Sequence, residues 1–365
     1  MPVRIAILGI RGVPASYGGF ETFAEQFGRR LVERGHEVTV YGRTAYVHRG
    51  VRRYRGMRIV RLPAPRSKYF ETVVHSLFAA AHALGGRYDI VYVCNSANVP
   101  AAILLRMFGK RVVINVDGLE WRRAKWNRLG RAYYRFCAFV AAHLPIEIVT
   151  DAAVIQDHYR TAYGRETRLF AYGTDGPTDD DGTLATLDLQ RRAFVLYVSR
   201  LEPENNAHIV IEAYRDVPTE FPLAIVGDAP YADDYIAELK RTTDSRVRFL
   251  GAIYGVPYAI LQSNAAAYVQ ATEVGGTHPA LVEAMGRGAA IIANDVPEHR
   301  EALGEAGRYY RGAADLARQL DAVLRQESEA AALRCAAAER ASERFGWEAI
   351  TDAYEAWFRS LMRSG

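Results

Sequence analysis

Short apolar runs and helical periodicities alternate along nearly the whole chain. Residues 3–8 are apolar apart from Arg4, the pattern of a strand covered on both faces of a parallel sheet. Phe20, Phe23, Ala24, Phe27 and Leu31 follow at helical spacing, and Gly35 ends that helix. The same reading predicts strands at 37–41, 58–62, 90–94, 111–115 and 147–149, with helices between, and a last element of the first half at 167–171. In the second half, strands are predicted at 193–198, 223–226, 247–250, 265–269 and 289–293. Strands that alternate with helices in this way predict α/β domains with doubly wound parallel sheets. Gly, Pro, Thr and a run of Asp crowd residues 173–189, so the predicted division is a first domain at 1–173, a linker at 174–190 and a second domain at 191–346. Trp347, Ile350, Tyr354, Trp357 and Phe358 share one helical face and predict a closing helix over 347–365.

A chain of 365 residues, half of them apolar, is long enough for two full cores. No apolar run approaches a membrane span, and no signal peptide precedes the strand at Val3, so a cytoplasmic protein is expected. Cys94, Cys137 and Cys335 are far apart and lack metal-ligand spacing; reduced, buried thiols are the expectation.

The net charge of +4 conceals an asymmetry. Residues 1–175 carry 27 Lys and Arg against 13 Asp and Glu, a surplus of +14, and the remainder carries 19 against 29, or −10. Such halves suit separate partners, one of them anionic. No nucleic-acid module is recognisable, so nucleic acid is not an expected partner. Within residues 122–144, Trp126, Leu129, Tyr133, Phe136 and Val140 form an apolar stripe. Arg122, Arg123, Lys125, Arg128, Arg131 and Arg135 crowd around it without one acid. Packing on its own domain and binding to an anionic membrane surface are both consistent with this pattern.

Candidate chemistry lies where predicted strands end. The first strand runs into a glycine-rich loop over 9–19 that includes Arg11, Gly18 and Gly19, but the G-x-G-x-x-G spacing of dinucleotide sites is absent. Asp117 follows the strand at 111–115, a position from which doubly wound folds address ligands, although turn aspartates are also common there. Asp179-Asp180-Asp181 has no strand before it and reads as a solvated loop. Arg200 closes the strand at 193–198, where a guanidinium would complement a diphosphate in bidentate fashion. Asn205 follows, and Gly227 ends the next strand. Gly275, Gly276, Thr277, His278 and Pro279 form a loop that opens into a helix, and a helix head suits an anion. Glu283, one turn in, has the chemistry to accept two ribose hydroxyls. An ordinary loop–helix–strand unit with a solvated glutamate fits these residues equally well.

The run Glu283-Ala284-Met285 with Gly288 resembles the donor-nucleotide motif of retaining glycosyltransferase family 4, which has the GT-B fold. Gly275-Gly276-Thr277-His278-Pro279 resembles the bacterial rhamnosyltransferase-like branch of that family, where this form replaces the usual first glutamate. Asp117-Gly118-Leu119-Glu120-Trp121 resembles a signature of the same branch. Ser199-Arg200-Leu201 matches the family's phosphate motif, with Asn205-Asn206 in place of Lys-Gly, and Phe345-Gly346-Trp347 resembles the start of its terminal helix. The resemblance implies two Rossmann-like domains facing a cleft, with the C-terminal helix crossing back to the first. It implies a retaining hexosyltransferase, and with no metal-ligand cluster in the sequence neither a metal nor a cofactor is expected. Glu283 would hold the ribose, Arg200 the diphosphate, and the loop at 275–279 the sugar or phosphates. Gly18 and Gly19 would approach the diphosphate, with Arg11 offsetting the missing lysine. The implied donor is dTDP-rhamnose, and a lipid-linked saccharide at the inner face of the cell membrane is the expected acceptor. A sugar-nucleotide 2-epimerase and a non-catalytic nucleotide-sugar-binding partner are the alternatives.

Overall fold

The computed structural model describes residues 2–67, 70–123, 126–230 and 232–363. The chain divides into two compact units, one of residues 2–122, 126–172 and 347–363, the other of Arg123 with residues 173–346.

The first unit is built on strands β1 (Arg4–Leu8), β2 (Glu37–Arg43), β3 (Arg53–Tyr54), β4 (Met57–Leu62), β5 (Ile90–Cys94), β6 (Val112–Asn115), β7 (Glu147–Thr150) and β8 (Arg168–Leu169). They lie in the order β3-β4-β2-β1-β5-β6-β7-β8, parallel throughout except for the β3–β4 hairpin. Alternate side chains of β1 feed two cores: Ile5 and Ile7 on one face, Ala6 and Leu8 on the other. The first core is completed by the helices Gly19–Glu33 and Trp347–Arg363. The ring of Phe27 lies 4.7 Å from that of Tyr354, tilted by 46°, and the Phe170 ring lies 4.1 Å from Tyr354. Each buried aromatic contributes about 1.5–3 kcal/mol by leaving water, which holds the C-terminal helix to the first unit. Arg30 and Arg34 reinforce this contact through Glu348.

The second unit carries β9 (Val195–Val198), β10 (Leu223–Val226), β11 (Val247–Gly251), β12 (Ala267–Gln270), β13 (Ile291–Asn294) and β14 (Arg308–Tyr310). All are parallel, in the order β11-β10-β9-β12-β13-β14. In each sheet the chain winds outward from a central strand, first to one side and then to the other. Ligands of doubly wound sheets bind outside the carboxyl ends of the strands at that reversal. The reversal falls between β1 and β5 in the first unit, and between β9 and β12 in the second.

Residues 174–190 are irregular but packed: the Thr178 amide donates to Ser263 Oγ at 2.9 Å, and Arg287 donates to Thr178 Oγ1 at 3.1 Å. Two expectations are corrected. The helix Arg128–His143 faces its core with Tyr134, Cys137, Ala138, Ala141 and Ala142; of the predicted stripe, Tyr133 and Val140 pack against that core, while Leu129 and Phe136 are exposed, as is Phe139. Of the basic residues assigned to its surroundings, Arg128, Arg131 and Arg135 are exposed on the helix, Arg123 is buried, and Lys125 lies outside the described residues. Cys335 is exposed, and only Cys94 and Cys137 are buried. Among the described residues no helix is long and apolar enough to cross a membrane.

Candidate functional site

At the reversal of the second sheet, the ends of β9, β10 and β12 bring Arg200, Gly227 and the loop at 275–279 to one edge. Tight packing of these strand ends depends on Gly227. Its φ is 147°, and a Cβ there would stand 1.8 Å from the Ser199 carbonyl oxygen, so any side chain would force the ends of β9 and β10 apart. Arg200 is half-buried and pairs with Glu202 at 3.6 Å. Asn205 Nδ2 donates to the Arg200 carbonyl at 2.6 Å, and Tyr197 donates to the Asn205 carbonyl at 2.6 Å. Asn205 therefore shapes the Arg200 turn from within. Asn206, with a left-handed φ of 59°, donates to the Ala271 carbonyl at 2.9 Å and ties this turn to the loop after β12.

That loop enters the helix Pro279–Gly286 with His278 at the cap position. Pro279 has no amide hydrogen, and the amides of Leu281 and Val282 turn back to the His278 carbonyl. Pro279 therefore has no amide donor to offer an anion. The His278 ring meets His299: Nδ1 of His278 and Nε2 of His299 are 2.9 Å apart. His299 Nδ1 faces the Asn294 carbonyl at 3.0 Å, which only accepts, so Nδ1 carries the hydrogen and Nε2 accepts from His278. Burial drives both rings below the ordinary histidine range, His299 to about 4, and keeps the pair neutral. The ring lies against Gly275, where a Cβ would stand 2.5 Å from His278 Nε2. Gly275 is thereby explained by packing, and Gly276 and Thr277 are buried beside it.

Glu283 is buried, not solvated. Tyr258 donates to its Oε2 at 2.7 Å, and Gln262 Nε2 donates to the Tyr258 hydroxyl at 2.8 Å and to the Ala280 carbonyl at 3.0 Å. Burial raises the Glu283 pKa, while Arg287 and the Tyr258 hydrogen bond oppose the rise. The result is an oriented carboxylate in a polar shell, suited to accepting hydroxyl hydrogens. Tyr258, Gln262 and His299 were not among the predicted residues. They come from distant helices, and no local spacing connects them with Glu283 or His278.

The other predicted residues belong to the first unit. Gly18 and Gly19 begin the helix Gly19–Glu33, with Gly18 in extended backbone. That helix pins the preceding loop: Glu21 accepts from the Arg11 amide and Glu25 from the Ala15 amide, both at 2.8 Å. Asp117 follows β6 with a left-handed φ of 58°, its amide bound to Asn115 Oδ1 at 3.0 Å. Asn115 donates to Tyr92 at 3.1 Å, and Tyr92 meets Tyr354 of the C-terminal helix at 2.9 Å. A buried polar chain thus runs from that helix to the Asp117 turn.

Residues 186–340 match the family model of the glycosyl transferases group 1. The matched stretch lies within the second unit. Residues 3–175 match a domain of unknown function, DUF1972. The chain has the two-domain α/β GT-B fold with parallel sheets. It is similar over its whole length to the structure of sucrose-phosphate synthase from Thermosynechococcus elongatus, with a TM-score of 0.84, 20% identity and all of both chains covered. HepE of Anabaena in complex with UDP and glucose gives a TM-score of 0.80 at 19% identity, with 98% of this chain and 100% of that one covered. In sequence, the chain is 26% identical over 130 residues to the O-antigen chain mannosyltransferase B of Escherichia coli. That stretch spans only 34% of each chain.

Proposed function

We propose that this chain is a glycosyltransferase of bacterial surface polysaccharide assembly, drawing on a nucleotide-sugar held by its group 1 domain. The observation that carries the reading is Glu283: a buried carboxylate, oriented by Tyr258, one turn into a helix at the sheet reversal. It would accept the ribose hydroxyls, and Arg200 at the end of β9 would face the diphosphate. Charge accumulates on the departing diphosphate, and a preorganised guanidinium supplies the stabilisation that matters most in such a step. We assign this charge to Arg200 without a metal. Configuration is retained by front-face attack with no covalent intermediate, and no nucleophile is assigned.

The proposed donor is dTDP-rhamnose and the acceptor a lipid-linked saccharide at the inner face of the membrane. The exposed Leu129, Phe136 and Phe139 beside Arg128, Arg131 and Arg135 support attachment to anionic lipid. The test is incubation with dTDP-, GDP- and UDP-sugars and a lipid-linked saccharide extract. Sugar transfer from one donor is expected. Interconversion of a free nucleotide-sugar would instead establish an epimerase, and binding without turnover a non-catalytic partner.

A further inference from the structure

The first unit contains a buried basic cluster of Arg11, Arg43 and His75. It lies at the carboxyl ends of β1 and β2. The Arg43 amide donates to the Arg11 carbonyl at 2.8 Å, so the two guanidinium groups spring from adjoining backbone. Arg11 is held flat over Tyr17, its Cζ 3.2 Å from the ring centroid, with Tyr46 at 4.6 Å. The helix Glu71–Leu84 turns Glu71, Thr72 and His75 toward Arg43. Glu71 Oε2 stands 3.2 Å from Arg43 Nη1 and 3.9 Å from Arg11 Nη2, and Arg43 Nη2 donates to Thr72 Oγ1 at 3.1 Å. Arg11, Arg43 and His75 are 8%, 3% and 0% exposed. Within this packing, Arg11 Nη1 and Arg43 Nε make no hydrogen bond, and the His75 ring lies within reach of the Gly42 backbone.

One carboxylate between two arginines leaves donors unmatched in a place where water is largely excluded. Buried donors of charged groups are ordinarily satisfied, and those that are not call for a missing partner. A tetrahedral anion accepts from several directions at once, which suits two guanidinium edges and an imidazole N–H. Desolvation and the nearby Arg43 lower the His75 pKa to about 4, so the ring is neutral, and the Gly42 backbone competes with an anion for its N–H. The second unit has its own guanidinium, Arg200, for a donor diphosphate. We propose that Arg11, Arg43 and His75 form a phosphate-binding site that receives the phosphate of the second substrate. The inference rests on the transfer reading only in naming that ligand a substrate; phosphate binding itself is read without turnover.

The experiment titrates the full chain with inorganic phosphate at constant ionic strength, by calorimetry and by thermal midpoint, with and without saturating UDP or dTDP. Saturable binding is expected, unchanged by the nucleotide, with midpoint shifts that add. A soluble sugar phosphate should displace inorganic phosphate. Binding should weaken at least tenfold in Arg11→Gln and Arg43→Lys and remain at the parent level in Arg200→Lys. Absence of saturable binding by the parent, or equal affinity in folded Arg11→Gln, overturns the site. Displacement by the nucleoside diphosphate, or failure of the sugar phosphate to compete, overturns its assignment to the second substrate. The competition arms use the parent chain alone, so they decide the matter even if a variant does not fold.

Discussion

Tyr258 donates its phenolic hydrogen to Glu283 Oε2 at 2.7 Å, from a helix twenty-five residues earlier in the chain. The bond fixes the carboxylate before any ligand arrives. Hydrogen bonds to a charged group are worth about 1.5–3 kcal/mol, so Glu283→Ala should weaken nucleoside diphosphate binding by roughly ten- to a hundredfold. Tyr258→Phe removes only the orientation, about 0.5–1.5 kcal/mol, and should weaken binding roughly two- to tenfold. Calorimetric titration checks both. Parent-like affinity in Glu283→Ala would remove the ribose assignment.

The same burial makes Glu283 a cost to folding at neutral pH. Its pKa is raised chiefly by desolvation and further by Asp175, with Arg287 and Tyr258 in opposition. A carboxyl whose pKa is higher in the folded state contributes its stability below the ordinary carboxylate range and loses it as pH rises through the folded value. Glu283→Gln keeps the shape and removes the charge. Its thermal midpoint should therefore gain on the parent's from about pH 4 upward and match or exceed it near neutrality, while nucleotide affinity falls. A difference in midpoint that does not change with pH would show that Glu283 is not desolvated.

Arg200 is expected to act on the leaving group through its planar fork. Arg200→Lys keeps the charge but loses bidentate geometry, so kcat should fall more than tenfold with little change in the thermal midpoint. Turnover in the presence of a chelator should equal turnover with magnesium. Activity abolished by the chelator and restored by Mg2+ would refute the assignment of the diphosphate's charge to Arg200 alone.

How far these features were legible depends on the physics behind each. Central parallel strands are apolar on both faces, so β1, β5, β9 and β10 stand out as runs in the sequence. The two-residue β3 and the half-exposed β14 have no such run and were missed. Composition marked 174–190 as irregular, which it mostly is, but irregular backbone can still be packed, as Thr178 shows. In the helix Arg128–His143 the pattern drew attention to bulk, whereas the core face is made of Ala138, Ala141 and Cys137, small residues that let the helix sit close. Glu283 was readable from its place in a helix opening. Its partners Tyr258 and Gln262, and the His278–His299 contact, were not, because tertiary pairing leaves no periodic trace.

That misread helix leads to the last prediction. With the small residues turned inward, Leu129, Phe136 and Phe139 are 80%, 60% and 53% exposed, and Arg128, Arg131 and Arg135 are exposed along with them. Large apolar side chains in water are a cost unless something covers them, and basic residues among them select an anionic cover. Each basic residue near an anionic bilayer contributes about 1 kcal/mol, an attraction screened within a Debye length. The chain should therefore bind vesicles containing anionic lipid, ignore neutral ones and come off as salt rises. Replacing Arg128, Arg131 and Arg135 by Ser should remove about 3 kcal/mol, roughly a hundredfold in partitioning. Phe136→Ser with Phe139→Ser should weaken attachment in a manner that salt does not mimic, since the apolar contribution is unscreened. Nucleotide affinity should be intact in both variants, because Glu283 and Arg200 belong to the other unit. Equal partitioning of the parent and the triple arginine variant would assign these charges to solvation and make a soluble saccharide the better acceptor.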